Sequence, residues 1–170
     1  MKRHSRIFIG LGANLPGPQG SPRATLEAAL VALERAGLRI VGRSRWYESA
    51  PVPMSDQPWY VNGVVEIDTD LDPASLLALL HEIEAAFGRT RSVRNEARPL
   101  DLDLLAYGDR VLTEEPRPLI PHPRLHERAF VLLPLAELAP DWRHPALGEG
   151  IQALIGRLPR DQITRKLAAD

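Results

Sequence analysis

The sequence predicts an α+β fold, with strands and helices in the order βαββαβ. Four segments are short and apolar, or alternate between apolar and polar residues, as strands do. Two segments between them repeat apolar residues at helical spacing. This order is typical of a ferredoxin-like sandwich, in which helices pack on an antiparallel sheet. We expect one domain over residues 1–170, with a core over about 6–139 and a C-terminal helical tail over about 140–170.

The first three elements follow from apolar runs and end signals. Residues 6–11 (RIFIGL) form a short apolar run that is typical of a buried strand. Ser21 and Pro22 are an N-cap and a first-turn residue, and the helix that they begin should end at Gly37. Residues 38–47 then predict the second strand.

The second half of the core repeats this logic. Residues 64–69 predict a half-buried strand, because Val65 and Ile67 alternate there with Glu66 and Asp68. Asp72 caps a second helix that should end at Gly88, and residues 100–106 form the next strand. A short returning strand is expected at residues 111–112.

The C-terminal part predicts helices. A third helix should cover about residues 125–139, with Pro134 inside it forcing a kink or a break. A weaker terminal helix is expected over residues 151–158.

The composition excludes several classes of protein. A net charge of −1 gives no general attraction to nucleic acid or membranes, and no apolar run approaches a membrane span. The chain has no cysteine, which excludes disulfides and thiolate metal sites or nucleophiles. The histidines show no zinc-ligand spacing. We expect a cytoplasmic monomer that binds neither nucleic acid nor membrane.

The most informative stretch is residues 88–108, where a basic segment precedes an acidic strand. Asp101 and Asp103 are two residues apart in a strand, so both project from one face. Leu100, Leu102 and Leu104 alternate with them and should face the core. Two adjacent carboxylates favour a cation such as Mg²⁺ or Mn²⁺. Guanidinium groups are well shaped to bind phosphate oxygens. The basic segment contains four arginines and one glutamate, namely Arg89, Arg91, Arg94, Arg98 and Glu96.

Simpler interpretations remain open for each of these residues. The two carboxylates could be a solvated strand face paired with arginines, and the arginines could lie on an ordinary exposed loop. His122, between prolines, could be a turn residue. Tyr60 and Phe130 could simply be core residues, because aromatic side chains pack in the core more often than they contact a ligand. Asn62, before Gly63, could mark a strand-entry turn. Gly10-Leu11-Gly12 lacks the third glycine of a dinucleotide site, and no Walker-type GK[ST] follows.

Four segments together resemble the 6-hydroxymethyl-7,8-dihydropterin pyrophosphokinase family. They are IFIGLGANL, YESAPV…DQPWYVN, GRTR…ARPLDLDLLAYG and IPHPRLHERAFVLLPL, and they span about residues 6–139 in the family's order. The resemblance implies an ATP-dependent diphosphokinase of folate biosynthesis. It would transfer the pyrophosphoryl group of ATP to the hydroxymethyl oxygen of 6-hydroxymethyl-7,8-dihydropterin and release AMP, with two Mg²⁺ ions as cofactors.

The resemblance also implies roles for individual residues. Asp101 and Asp103 would be the metal ligands and, with Arg89 and Arg98, the catalytic set. The residues expected at the nucleotide are Glu84, Arg91, Arg98, Arg117, His122 and Arg128. The residues expected at the pterin are Ser49, Pro51, Val52, Tyr60, Asn62, Asn95 and Phe130. Tyr60 and Phe130 would sandwich the ring, and Asn62 would read its edge.

Three departures from the family pattern concern the closing loop. Glu96 stands where the family usually has Gly or Ala, Asn95 often corresponds to an aromatic, and the arginine loop is about one residue shorter than in some relatives. We expect residues 88–97 to act as a lid that orders when both substrates bind. No general base is assigned.

Two rival functions differ in their products. A ligand-binding regulatory module of the same shape would bind a small molecule and turn nothing over. A DxD sugar-nucleotide transferase would release a nucleoside diphosphate and would usually need a larger nucleotide domain. Formation of AMP separates both from the pyrophosphokinase.

Overall fold

The computed structural model describes residues 5–17, 19–51, 55–56, 58–88 and 99–168. One 3₁₀ turn, Leu125–Glu127, precedes the third helix. The strands are β1 (Ile7–Ala13), β2 (Arg39–Arg43), β3 (Tyr47–Ser49), β4 (Tyr60–Asp68), β5 (Asp101–Tyr107) and β6 (Thr164–Lys166). The helices are α1 (Pro22–Arg35), α2 (Pro73–Ala86), α3 (Ala129–Leu138) and α4 (Ile151–Gly156). Within these described ranges, no helix combines the length and the apolar character that a membrane span requires.

The strands form one antiparallel sheet in the order β5-β1-β4-β3-β6, and β2 also pairs with β4. β4 is long enough for β2 to pair with its C-terminal half and β3 with its N-terminal half. An antiparallel sheet with helices confirms the predicted α+β, ferredoxin-like class.

Alternation along β1 divides the core between the two faces of the sheet. The odd residues Ile7, Ile9 and Leu11 pack with α1 and α2 in one buried cluster. Phe8, on the opposite face, packs with α3 and α4 in a second cluster. The sheet therefore lies between two helical layers, and each face has its own apolar core.

The predicted helix starts are confirmed by their caps. The hydroxyl of Ser21 accepts a hydrogen bond from the Ala24 N–H at 3.1 Å, and the Asp72 carboxylate accepts one from the Ser75 N–H at 2.7 Å. Both helices have proline in the first turn. Gly37 has a φ of 95°, the left-handed conformation that glycine adopts most readily after a helix.

The predicted second strand is divided into β2 and β3 at Ser44. The Ser44 N–H donates to the Val64 carbonyl at 2.9 Å, but the Val64 N–H donates to the Ser44 hydroxyl at 3.0 Å instead of to a carbonyl. A side chain thus replaces one backbone acceptor, and the regular ladder stops. Residues 111–112 form only an isolated bridge, between Leu112 and Ile120.

The C-terminal part differs most from the prediction. α3 begins at Ala129 rather than near residue 125, because residues 125–127 form the 3₁₀ turn. Pro134 lies inside α3 without breaking it. The tail is not only helical, because β6 follows α4 and joins the sheet beside β3. Its pairing partners lie more than a hundred residues earlier in the chain, so no local pattern indicates it.

Candidate active site

A cavity of about 370 Å³ opens on the α3 face of the sheet, where β1, β4 and β5 meet. This size lies within the range of about 300–1,000 Å³ that is usual for small-molecule sites. Its floor includes Gly10, Gly12 and Gly63, and Asp101 and Asp103 line it from β5. The remaining walls come from the segment after β3, from the start of β4 and from the start of α3.

The two carboxylates lie on one face of β5, as predicted. Asp101 is opposite Gly12 and Asp103 is opposite Gly10 across the sheet, and both aspartates are partly exposed. The residues between and beside them, Leu100, Leu102 and Leu104, are buried in the α1/α2 core.

The donor set suits a hard cation that binds substrate as well. No group of three or more His, Cys, Asp or Glu residues in the described part of the chain is placed to hold a metal. Mg²⁺ commonly binds through one or two carboxylates together with water and phosphate oxygens. Two oxygen-donating carboxylates beside an open cavity therefore fit Mg²⁺.

Glu84 supports the strand that carries these carboxylates. It lies on α2, its side chain is only 2% exposed, and it accepts a hydrogen bond from the Leu102 N–H at 2.8 Å. Leu102 lies between the two aspartates, so the buried carboxylate ties their strand to the helix behind it. The nucleotide contact of Glu84 stays a prediction, because the side chain does not line the cavity.

Basic side chains lie around the same cavity as the two carboxylates. The pKa of His122 is lowered to about 4, first by burial and then by three arginine charges. These are Arg128, Arg117 and Arg124. Burial is also the main cause that lowers the pKa of Arg128, and the charges of Asp103 and Asp101 oppose that shift. The start of α3 therefore brings a half-buried guanidinium near both carboxylates.

His122 is tied into this cluster through its backbone and its ring. Its N–H donates to the Leu105 carbonyl of β5 at 2.8 Å, and its Nδ1 accepts from the Arg124 N–H at 3.2 Å. With Nδ1 acting as an acceptor, the neutral ring carries its proton on Nε2. Arg117 is exposed and lies 3.7 Å from the Glu115 carboxylate, so it is at the outer side of this group.

The residues predicted for a flat heteroaromatic ring also meet at the cavity. Asn62 is 5% exposed, and its Nδ2 donates to the Ser49 hydroxyl at 2.7 Å. Tyr60 and Phe130 are partly exposed and line the cavity together with Pro51. Neither aromatic residue is fully buried, although Phe130 packs against the edge of the α3/α4 core. The stacking roles of both residues stay predictions. Asn62 lies within β4, not in a strand-entry turn.

Several predicted site residues lie outside the described residues. They are Val52, Arg89, Arg91, Asn95, Glu96 and Arg98, with the lid beyond Gly88. Their roles stay predictions.

Three polar or charged residues of the cavity lining were missed by the sequence reasoning. Arg124 and Glu127 fall within the PHPRLHER segment, where their charge beside His122 was an available signal. Gln162 lines the cavity from the chain segment before β6. No local pattern points to it, because its position depends on long-range pairing.

Comparisons with known proteins identify a family. The sequence model of the family described as 7,8-dihydro-6-hydroxymethylpterin-pyrophosphokinase (HPPK) matches residues 8–140. A Pseudomonas aeruginosa protein named 2-amino-4-hydroxy-6-hydroxymethyldihydropteridine pyrophosphokinase is 44% identical over 161 residues, or 94% of this chain and 96% of the relative. Proteins of that name from Methylorubrum extorquens and a Synechocystis species are 44% and 45% identical over 81% and 86% of this chain, and over 84% and 73% of their own lengths.

Solved structures share the fold at low sequence identity. The crystal structure described as Plasmodium falciparum HPPK-DHPS wild type with pteroate has a TM-score of 0.71 and 15% identity, covering 92% of this chain and 45% of that chain. The structure described as the wild type alone has a TM-score of 0.69 and 16% identity over the same shares. This chain spans less than half of those chains, and at this identity the likeness shows the fold alone.

Proposed function

Because this chain belongs to the 7,8-dihydro-6-hydroxymethylpterin-pyrophosphokinase family, we propose that it is an ATP-dependent diphosphokinase of folate biosynthesis. It transfers the pyrophosphoryl group of ATP to the hydroxymethyl group of 6-hydroxymethyl-7,8-dihydropterin and releases AMP. One observation carries the proposal: a single cavity has an aromatic and amide wall beside two carboxylates and a basic cluster.

The pterin occupies the part of the cavity between Tyr60 and Phe130. A flat heteroaromatic ring gains from stacking surfaces and from a few fixed polar groups that set its orientation. Asn62 is such a fixed polar group, because its Nδ2 donates a hydrogen bond to the Ser49 hydroxyl. That bond distinguishes the nitrogen end of the amide from its oxygen end and so sets the orientation of the side chain. Asn62 then presents a defined donor and acceptor pattern to the ring edge.

The phosphates of ATP lie toward Arg128 and His122. The neutral His122 ring keeps its proton on Nε2, since Nδ1 accepts from the Arg124 N–H, and Nε2 is therefore free to donate to a phosphate oxygen. Arg128 supplies a half-buried positive charge on the same side. Arg117 assists from the exposed side, and Arg89, Arg91 and Arg98 close over the triphosphate.

Asp101 and Asp103 would hold Mg²⁺, which would neutralise charge on the phosphates and help to align them. Both aspartates line the cavity, and the residue opposite each of them on β1 is a glycine, which has no side chain to fill the space beside them. Glu84 keeps β5 in place through its bond to the Leu102 N–H.

The chemical step needs alignment more than a protein nucleophile. The hydroxymethyl oxygen forms a bond to the β-phosphorus, the bond from that phosphorus to the α,β-bridging oxygen breaks, and AMP leaves with that oxygen. The hydroxyl proton passes to solvent or to a phosphate oxygen. The side chains of the site bind, orient and shield these groups from water.

A product assay tests the proposal. The protein is incubated with ATP, Mg²⁺ and 6-hydroxymethyl-7,8-dihydropterin, and both nucleotide and pterin products are separated and quantified. Equal amounts of AMP and pterin diphosphate are expected. ADP in place of AMP would mean transfer of a single phosphoryl group. Pterin binding without any product would favour the ligand-binding module instead.

A further inference from the structure

Gln162, two residues before β6, lines one corner of the cavity, although it lies beyond residues 8–140 that the family model matches. In β6, Thr164 pairs with Ser49 of β3. Just before it, the carbonyl of Ile163 accepts a hydrogen bond from the Ala50 N–H at 3.1 Å. The segment just before β6 is thus fixed to the cavity wall that follows β3.

Gln162 reaches from this segment to the opposite wall, at the start of α3. Its Nε2 donates to the Glu127 carbonyl at 2.7 Å, and its Oε1 accepts from the Ala129 N–H at 2.8 Å. These two backbone groups flank Arg128. A carbonyl can only accept and an N–H can only donate, so the two partners fix the orientation of the carboxamide.

The bond to Ala129 also completes the helix start. The first N–H groups of a helix have no intrahelical acceptor, and Ala129 is the first residue of α3. Arg128, at the N-cap position, makes no side-chain capping bond. Gln162 supplies the missing acceptor from outside the helix, and one side chain therefore holds the backbone on both sides of Arg128.

We propose that Gln162 is a positioning residue for Arg128 in the nucleotide part of the site, an inference that rests on the proposed function. The Arg128 guanidinium lies 5.4 Å from the centroid of the Phe130 ring and close enough to both carboxylates for their charges to act on it. A long side chain presents its charge accurately only if its backbone is fixed, and a displacement of about 1 Å in a site can lower the rate roughly a hundredfold.

The attachment of β6 to β3 does not depend on Gln162. The Leu167 N–H donates to the Trp46 carbonyl at 2.9 Å. Arg165 pairs with Glu48, and its guanidinium carbon lies 4.8 Å from the Trp59 ring centroid. Removing the carboxamide of Gln162 should therefore release the start of α3 while the strand stays paired.

The test compares Gln162→Met, which keeps the size of the side chain and removes both hydrogen bonds, with Gln152→Met on the exposed face of α4. ATP affinity is measured by calorimetry in the presence of Mg²⁺. We expect ATP to bind roughly 5- to 20-fold more weakly to Gln162→Met and unchanged to Gln152→Met. Gln162→Asn, which is one carbon too short to span both partners, should weaken binding in the same direction and serves if the Met variant folds poorly.

The same substitution in an Arg128→Ala background separates positioning from general destabilisation. If Gln162 acts through Arg128, Gln162→Met should change ATP affinity less than about twofold there. Equal losses in both backgrounds, or no loss in the wild-type background, would overturn the inference, as would absence of ATP binding to the wild type. AMP formation by the wild type is assayed separately, so that failure of the proposed reaction is distinguished from failure of the positioning role.

Discussion

Gly63→Ala should destabilise the protein because position 63 has no room for a side chain. A Cβ placed on Gly63 would lie 2.5 and 2.6 Å from two carbons of the Trp46 ring. Carbon atoms normally approach no closer than about 3.5 Å, so the ring or the strand must move by roughly 1 Å. Trp46 is 5% exposed and its Nε1–H donates to the Glu27 carboxylate at 2.7 Å, so it cannot move without losing contacts.

The expected cost is the difference between two effects. Overpacking of a filled core usually costs about 1–3 kcal/mol. Replacing glycine by alanine in an ordinary strand conformation returns about 0.4–1 kcal/mol, because the unfolded chain loses freedom. The free energy of unfolding should therefore fall by about 1–2 kcal/mol, and Tm by roughly 2–8 °C for a chain of this size.

Urea unfolding followed by circular dichroism measures this difference. The matched control is Gly42→Ala in β2, where a Cβ would have its nearest contact with Leu138 at 3.5 Å, an ordinary distance. That variant should keep the free energy of unfolding unchanged or raise it by up to about 1 kcal/mol, because it has the gain in the unfolded chain without the clash. If Gly63→Ala were as stable as Gly42→Ala, the steric argument would be refuted. In a Trp46→Leu background, which removes the ring, the extra cost of Gly63→Ala should disappear.

Three further predictions concern the site. Asp101→Asn should lower kcat at least about 100-fold with an unchanged Tm, whereas the exposed Asp109→Asn should keep full activity; a near-normal rate for the first would contradict the metal assignment. His122 has a folded pKa of about 4 against an ordinary 6.5, so stability present above pH 6.5 is lost as the pH falls toward 4. After allowance for solvent screening, the free energy of unfolding should fall by about 1 kcal/mol over this range. Urea unfolding at about pH 7 and about pH 4.5 measures this fall, which should be smaller for His122→Gln than for the wild type. Asn62→Ala and Ser49→Ala should each lower the free energy of unfolding by about 1–2 kcal/mol, because each removes the same buried hydrogen bond. The double variant should therefore be little less stable than either single variant, and additive losses would exclude that cause.

The sequence predicted those parts of the fold that depend on interactions between residues close together in the chain. The caps at Ser21 and Asp72 need only a short side chain and an N–H three residues later, and both form as expected. The shared face of Asp101 and Asp103 follows from strand geometry alone. Family resemblance then supplied the pterin and the nucleotide, which the residue pattern by itself could not identify.

Longer-range contacts explain what the sequence did not reveal. The second strand looks continuous, yet it divides at Ser44 because a hydroxyl takes the place of a carbonyl in the ladder with β4. Val41, an apolar residue in the middle of β2, is 48% exposed and lies where the pairing with β4 is irregular, between Ile40 and Gly42. Gln162 can be recognised as a cavity residue only once β6 is known to pair with β3, because that pairing brings it to the cavity.

The alternation along β1 explains why the cavity lies where it does. On the α3 face, Phe8 fills the space beneath the helix, whereas Gly10 and Gly12 follow on the same face and contribute no side chain. The apolar core therefore stops after Phe8 and an open floor begins. A Cβ at Gly12 would lie 3.0 Å from Oδ1 of Asn62, the residue proposed to read the pterin edge. Glycine at position 12 thus keeps the cavity open, whereas Gly63 is required by a ring on the opposite face, so the two glycines serve different parts of the molecule.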